Sequence, residues 1–380
     1  MSEEKNVPNI RFKGFTDPWE QRKLGECLNV NSGKDYKSLK RGNIPVYGTG
    51  GYMCSVDQAL SYNEDAIGIG RKGTINKPYI LKAPFWTVDT LFYIVPKAKL
   101  NLFFMYLIFQ KVNWKRKDES TGVPSLSKSI IKSVKELFPK GREQNEIAEL
   151  FEILDTTIAL HQQKVTQLKE LKKLLMQKIF DQEWRFRGFT DPWEQRKLGD
   201  VSSKVTEKNK SKKYTETLTN SAEYGIINQY AFFDKSISNS NSIASYYVVK
   251  RDNFVYNPRI STAAPVGPIN RNRLNIIGIM SPLYYVFEAT NIDKSYLEYY
   301  FKTTKWHNFM KIEGNTGARS DRLAIKDKVL VKMPIPYPKV KEQKQIGELF
   351  ESIDTTIALH QQKVDQLKEL KKYLMQNLFV

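Results

Sequence analysis

At 380 residues, 41% of them hydrophobic, the chain is long enough for two or more domains, each with a core of its own. Its formal charge of +19 favours a polyanionic partner, and its two cysteines, Cys27 and Cys54, are too few for a disulfide framework or a thiolate metal site. The longest apolar stretch, residues 275–287, is short and broken by Pro282, so no membrane span is expected; no apolar run follows the first charges, so no signal peptide is expected either, and a cytoplasmic location is.

The first element in chain order is "RFKGFTDPWEQRKLG" at 11–25, which returns at 185–199 with only Lys13 changed, to Arg187. Within it Asp17 can cap a helix, Pro18 suits the first position, Glu20 falls at the capping-box position and Gly25 can end it, and Asp191, Pro192, Glu194 and Gly199 match them. A short helix is therefore expected in each copy, with Phe12, Phe15 and Trp19, or Phe186, Phe189 and Trp193, as docking anchors within the protein or, as the alternative, for a partner protein. Residues 26–142 follow, with β-rich runs "IPVYGTGGY", "NEDAIGIG" and "FWTVDTLFYIV", then a helix "LNLFFMYLIFQKV" and the loop "STGVPSLSKSII".

Residues 143–180 come next and return at 342–379 with 29 of 38 positions identical. Apolar residues at Ile147, Phe151, Leu154, Ile158, Val165, Leu168, Leu175 and Ile179 form one helical face, uninterrupted by Gly or Pro. A helix of that length, roughly 57 Å at 1.5 Å per residue, is too long for one small domain to bury. The two copies are expected to pair antiparallel through Leu154, Ile158, His161, Val165 and Leu168 on one and Ile353, Ile357, His360, Val364 and Leu367 on the other. His161 and His360 then face each other, as a polar layer fixing register or as a pH-sensitive or metal-binding pair.

Residues 181–199 hold the second short repeat and residues 200–341 a second unlike segment. Its strands are "SYYVVKRDNFVYNPR", "IIGIM" and "LYYVFE", its helix "DKSYLEYYFKTTKWHNFM" and its loop "NTGARSDRLAI". The two unlike segments read as one fold with two surfaces. Residues 21–142 carry 21 Lys/Arg against 9 Asp/Glu and residues 195–341 carry 24 against 12, whereas each long repeat has 5 against 6. The excess positive charge thus lies in the unlike segments, which are the parts expected to meet nucleic acid. The domains expected are 1–25, 26–142, 143–180, 181–199, 200–341 and 342–380. The fold class is α+β: two globular mixed α/β domains separated by a pair of long antiparallel coiled-coil helices, in a pseudo-two-fold internal repeat. The circular order of repeats also requires residues 11–25 to dock beside residues 370–380.

The doubled "TDPWEQRKLG", the doubled "DTTIALHQQKV.QLKELKK" and "PVYGTGGY" followed by "IGIGRKGTI" resemble the specificity subunit of Type I restriction-modification systems along essentially the whole chain. The resemblance implies that each unlike segment is a target-recognition domain reading one half of a bipartite, asymmetric site in double-stranded DNA. It implies two methyltransferase (M) subunits and, in the restricting complex, two motor-nuclease (R) subunits. S-adenosylmethionine, ATP and Mg are then expected on those partners, with no cofactor, metal or membrane contact on this chain.

Motifs for chemistry fail on inspection. "GIGRKG" at 68–73 matches a dinucleotide fingerprint, but "TINKPYILKAP" cannot be the helix that must follow. "YNPR" at 256–259 has Arg259 where amino-methyltransferases need a second proline, and no Walker-type loop exists. A binding subunit without chemistry of its own is expected; the alternatives are a protein-only coiled-coil adaptor and a self-sufficient DNA-modifying enzyme. The expected DNA-binding residues are Tyr47, Thr49, Arg71, Lys72 and Ser125 in the first domain. In the second they are Asn257, Arg259, Ser261, Arg319, Ser320 and Arg322, as cations suit guanine edges or phosphates, amides suit adenine and hydroxyls suit either.

Overall fold

The computed structural model describes residues 6–97, 100–230, 243–316 and 320–380. The chain forms two compact units, Met1–Gln163 with His360–Val380, and Lys164–Leu359. Each therefore combines one recognition segment with stretches of both long helices.

In the first unit a four-stranded antiparallel sheet runs in the order Leu28–Ser32, Leu91–Pro96, Ala66–Gly70, Tyr79–Leu81. Beside it stands a three-stranded sheet in which Arg41–Gly48 pairs antiparallel with Gly51–Val56 and parallel with Trp86–Thr87. The strand Ala66–Gly70 is buried along its whole length, which accounts for its unbroken small and apolar run. Helix Leu102–Lys111 covers the larger sheet, its start capped by Asn101, which accepts from Phe104 N–H at 3.0 Å.

The second unit repeats this plan. Its four-stranded sheet, Ser202–Lys204, Tyr285–Ala289, Asn253–Tyr256, Ile269–Arg271, has the same topology in chain order, first-fourth-second-third. Helix Lys294–Phe301 is capped by Asp293 as the other is by Asn101. The matching tryptophans, Trp114 and Trp306, are both buried, and each indole N–H donates to the carbonyl five residues earlier, of Phe109 at 2.7 Å and Phe301 at 3.1 Å. Two segments without continuous identity share one fold because burial and capping, rather than residue identity, are what they share.

The short repeat departs from expectation. Glu20–Lys23 is a strand paired antiparallel with Lys135–Phe138, and Glu194–Lys197 pairs in the same way with Pro334–Tyr337. Only Leu24–Cys27 is helical in the first copy, and Leu198–Asp200 forms a 3-10 turn in the second. Asp17 caps nothing; its carboxylate pairs with Lys140 at 2.6 Å. A helix of so few residues scarcely repays its nucleation, whereas the ladder to a partner strand satisfies the same backbone groups. Of the aromatic anchors, Trp19 with Phe12 and Trp193 with Phe186 dock within the protein. Trp19 meets Phe379 edge-on at 6.1 Å and Ile10 N–H donates to Asn377 O at 2.9 Å, so residues 11–25 lie against the end of the second long helix. In the second unit Trp193 meets Phe180, the counterpart of Phe379, at 6.3 Å.

The long helices are Gly141–Phe180 and Val340–Asn377. Their identical Glu-Gln openings have a structural purpose. Glu143 receives two hydrogen bonds from Arg11, at 2.7 and 2.8 Å, and Glu342 receives two from Arg185, at 2.9 and 2.8 Å. Gln144 and Gln343 donate to the carbonyls of Pro139 and Pro338, which fixes how each helix leaves its domain. The helices run antiparallel in both units. In the first, Lys371 pairs with Asp155 at 2.6 Å, and Leu154 and Ile158 share a core with Val364 and Leu367. In the second, Lys172 pairs with Asp354 at 2.5 Å, and Ile353, with Ile357 at its edge, packs in the core that holds Ile179 and Phe180. Val165 is buried and Leu168 half-buried. His161 and His360 meet Nδ1 to Nδ1 at 2.8 Å, so one ring donates while the other accepts. The pair makes a polar contact between the long helices, and no group of three or more His, Cys, Asp or Glu that could hold a metal ion occurs among the described residues.

Candidate nucleic-acid interface

In the first domain the buried strand Ala66–Gly70 runs out into the turn "RKGT". The glycines of "GIGRKG" serve this turn. A Cβ on Gly70 would lie 2.2 Å from the Thr74 carbonyl oxygen, and Gly73 has φ +87°, a conformation that favours glycine. Nothing about this geometry cradles a dinucleotide; it pushes Arg71 and Lys72 into solvent. The loop at 118–126 comes alongside. Lys72 and Ser125 form a β-bridge, Gly73 N–H donates to Pro124 O at 2.8 Å and Leu126 N–H to Arg71 O at 2.9 Å. Asp118 locks that loop by accepting from the Ser125 N–H at 2.9 Å and from the Ser120 N–H and hydroxyl at 3.0 and 2.8 Å. These donors hold its carboxyl below the ordinary value of 3.8. Arg71, Lys72 and Ser125 thus line one open cleft of about 370 Å³, with Lys128 beside them and Glu119 on the rim.

Tyr47 and Thr49 lie elsewhere, at the tip of the hairpin formed by Arg41–Gly48 and Gly51–Val56. Tyr47 packs between Tyr52 and Tyr79, 6.4 and 6.1 Å away, and the Tyr79 hydroxyl donates to Gly48 O at 2.6 Å. Half-buried in this stack, Tyr47 shapes the hairpin, while Tyr52 and Met53 are the side chains it exposes.

In the second domain the equivalent turn carries Arg259, and the equivalent loop carries Arg322. The two form a β-bridge, flanked by Leu323 N–H to Pro258 O at 2.8 Å and Ile260 N–H to Asp321 O at 3.0 Å. The Asp321 carboxylate stands 4.0 Å from both guanidinium groups. Asn257, Arg259, Ser261 and Arg322 line a cleft of about 470 Å³, with Tyr246 and Tyr284 among its walls. Asn257 and Ser261 are partly spent on structure. The Asn257 amide donates to Asn220 O at 2.8 Å and accepts from Arg259 N–H at 3.0 Å, and the Ser261 hydroxyl accepts from Ala264 N–H at 3.2 Å. Ser320 is exposed beside this loop, and Arg319 lies outside the described residues.

The same seat therefore recurs with different occupants, Lys72 and Ser125 in one domain, Arg259 and Arg322 in the other. Asp118, which holds the loop of the first seat in shape through Ser120 and Ser125, carries no sequence signal, and the Asn220 carbonyl receives the Asn257 amide only because segments distant in the chain meet. The second long-range device missed by sequence reasoning is the Arg11–Glu143 and Arg185–Glu342 pair of buried salt bridges. No described helix is long and apolar enough to cross a membrane.

A fold built twice, with a cationic cleft at the same place in each copy and unequal residues lining it, defines a two-headed polyanion-binding scaffold. The sequence matches the family described as Type I restriction modification DNA specificity domain over residues 16–170 and again over 190–369, and the chain belongs to that family. Over 334 residues it is 25% identical to the Type I restriction enzyme MjaVIII specificity subunit of Methanocaldococcus jannaschii, spanning 82% of this chain and 75% of that protein. A putative type I restriction enzyme MjaX specificity subunit of the same organism is 24% identical over 311 residues, 75% of this chain and 65% of that protein. The fold is that of the S subunit of a Type-I restriction-modification system from M. genitalium, with a TM-score of 0.67 over 98% of this chain and 99% of that one, at 13% identity.

Proposed function

We propose that this chain is the DNA-recognition and assembly subunit of a Type I restriction-modification complex, each domain reading one half of a bipartite, asymmetric duplex target. The observation that carries this reading is the shared seat. Identical scaffolding with Lys72 and Ser125 in one copy and Arg259 and Arg322 in the other suits two different half-sites read in the same manner. Arg259 and Arg322 can each engage a guanine edge or a phosphate, and Lys72 can do the same as a point charge.

The chain contributes no chemistry of its own. Adenine methylation falls to two methyltransferase subunits, and cleavage to two motor-nuclease subunits, which carry the S-adenosylmethionine, ATP and Mg; the complex works in the cytoplasm. Duplicate partners are supported by duplicate surfaces. Leu160, Leu171 and Leu174 of the first long helix are 60%, 44% and 43% exposed, and their counterparts Leu359, Leu370 and Tyr373 are 60%, 44% and 53% exposed. Large apolar side chains left uncovered in the same places twice suit two copies of one partner.

The test is to map methylated adenines in cells carrying the chain with its partner subunits, then to replace residues 26–142 with the matching segment of a relative. One half of the target should change. A change in both halves would overturn the modular reading. Absence of sequence-selective binding with the methyltransferase present would make the chain a protein-only adaptor, and methyl transfer by the purified chain alone would make it an enzyme.

A further inference from the structure

Next to the first-domain seat lies a group of cations outside the candidate reading residues. Trp114–Lys117 forms a single 3-10 turn whose Lys115, Arg116 and Lys117 are all exposed. The turn is rigidly held. Trp114 is buried with its indole bonded to Phe109 O, Asn113 accepts from Arg116 N–H at 3.3 Å, and Asp118 N–H donates to Lys115 O at 3.4 Å. Asp118 is the same residue that fixes Ser125 in the seat, so the cations have a set position relative to Lys72.

None of the three cations has a side-chain partner among the described residues. The adjacent Asp118 spends its carboxylate on Ser120 and Ser125, and Glu119 is exposed. Many other cations of this chain are paired, as with Lys82 and Asp65, Lys140 and Asp17, and Lys204 and Asp327. Three successive like charges left unpaired on a rigid turn repel one another unless an anion lies across them. The second domain has the same frame without the charge. After buried Trp306 come His307, Asn308 and Phe309, and the preceding Lys305 is paired with Asp181.

We infer that Lys115, Arg116 and Lys117 bind the sugar–phosphate backbone beside the half-site read by the first domain, giving that domain a sequence-independent grip that the second lacks. The inference rests on the DNA-recognition reading and adds an asymmetry to it. Three residues per turn spread the side chains around the axis, so a backbone passing across the turn meets about two of them at once. Two phosphate contacts steepen the dependence of log K on log salt by about 1.8. A fourfold rise in salt then weakens the wild-type complex roughly 12-fold more than one lacking them.

The experiment compares the full chain with K115Q/R116Q/K117Q, each bound to its methyltransferase partner. Fluorescence anisotropy is read on the mapped target duplex and on a scrambled duplex of equal length, from 50 to 200 mM KCl. Both affinities should fall by the same factor, the salt slope should flatten by about two, and the methylated sequence should stay the same. An unchanged slope overturns the inference, as does a loss confined to the target duplex, which would make these base-reading residues. Normal DNA binding with loss of the methyltransferase would also overturn it and make the turn a protein-docking site. A wild-type complex that binds neither duplex would sink the underlying DNA-recognition reading instead.

Discussion

Phe379 is where the short repeat, the first domain and both long helices meet, so Phe379→Ala tests the closure of the first unit. Its ring is 5% exposed, lies stacked on Phe104 at 5.7 Å and meets Trp19 and Phe151 edge-on at 6.1 Å each. Truncating a buried Phe costs about 3–5 kcal/mol, because the lost transfer energy adds to a cavity that the surroundings fill only in part. Each lost edge contact accounts for about 0.5–1.5 kcal/mol of coupling beyond burial. Urea unfolding followed by circular dichroism should therefore show a loss of about 3–5 kcal/mol. A double-mutant cycle with Trp19→Leu, which removes the ring, isolates the Trp19 contact. Phe180→Ala is the internal reference, since Phe180 is 6% exposed, stacks on Phe350 at 6.4 Å and meets Trp193 in the second unit. The two losses should be similar. A cost below about 1 kcal/mol for Phe379→Ala, with Phe180→Ala costly, would refute the claim that the N-terminal repeat is held by this cluster.

Trp19 Nε1 is buried without a partner, whereas Trp193 Nε1 donates to the buried Glu342 at 3.1 Å. Both indole-to-phenyl changes remove buried volume, but only Trp193→Phe also leaves a buried acceptor short of a donor, so it should cost about 1–3 kcal/mol more than Trp19→Phe, read from the same unfolding curves. Burial raises the Asp354 carboxyl, but the Lys172 ammonium at 2.5 Å and the Tyr299 hydroxyl at 2.8 Å outweigh it and hold the group below its ordinary 3.8. Lys172 is itself lowered by burial, so the attraction of the pair is read on the carboxylate side, where two donors converge. A depressed carboxyl stabilises the fold fully above its unfolded value and stops doing so as pH falls through the folded one. Asp354→Asn should therefore melt below wild type at neutral pH and converge with it as the pH falls through the depressed carboxyl value, below the ordinary 3.8; a gap that persists in stronger acid would point to shape rather than charge. Lys72→Ala and Arg259→Ala should each relax one position in one half of the methylated target, with about 1–3 kcal/mol of discrimination lost there. Relaxation in both halves from either variant would contradict one domain per half-site.

Much was legible before any tertiary structure. The long helices follow from an uninterrupted apolar stripe, and their pairing follows from duplication, because two copies of a face too long to bury alone can cover each other. The placement of charge in the unlike segments followed from counting. The short repeat misled because Asp17, Pro18 and Glu20 are good capping residues on their own, and the competing strand Lys135–Phe138 is more than a hundred residues away. The packing of Tyr47 was not legible for a related reason: an exposed hairpin and an aromatic cluster under it have the same sequence.

What the sequence determined by itself was the doubling, the helices and the division between shared frame and unlike surface, all of which depend on local pattern or on comparison of the chain with itself. What only the tertiary structure decided was the seat. Lys72 meets Ser125 and Arg259 meets Arg322 because a turn and a loop distant in the chain pair backbone to backbone in each domain. Hydrogen bonds between residues distant in the chain leave no periodicity to read, and a cation becomes a candidate reader of DNA only when the fold gives it neighbours.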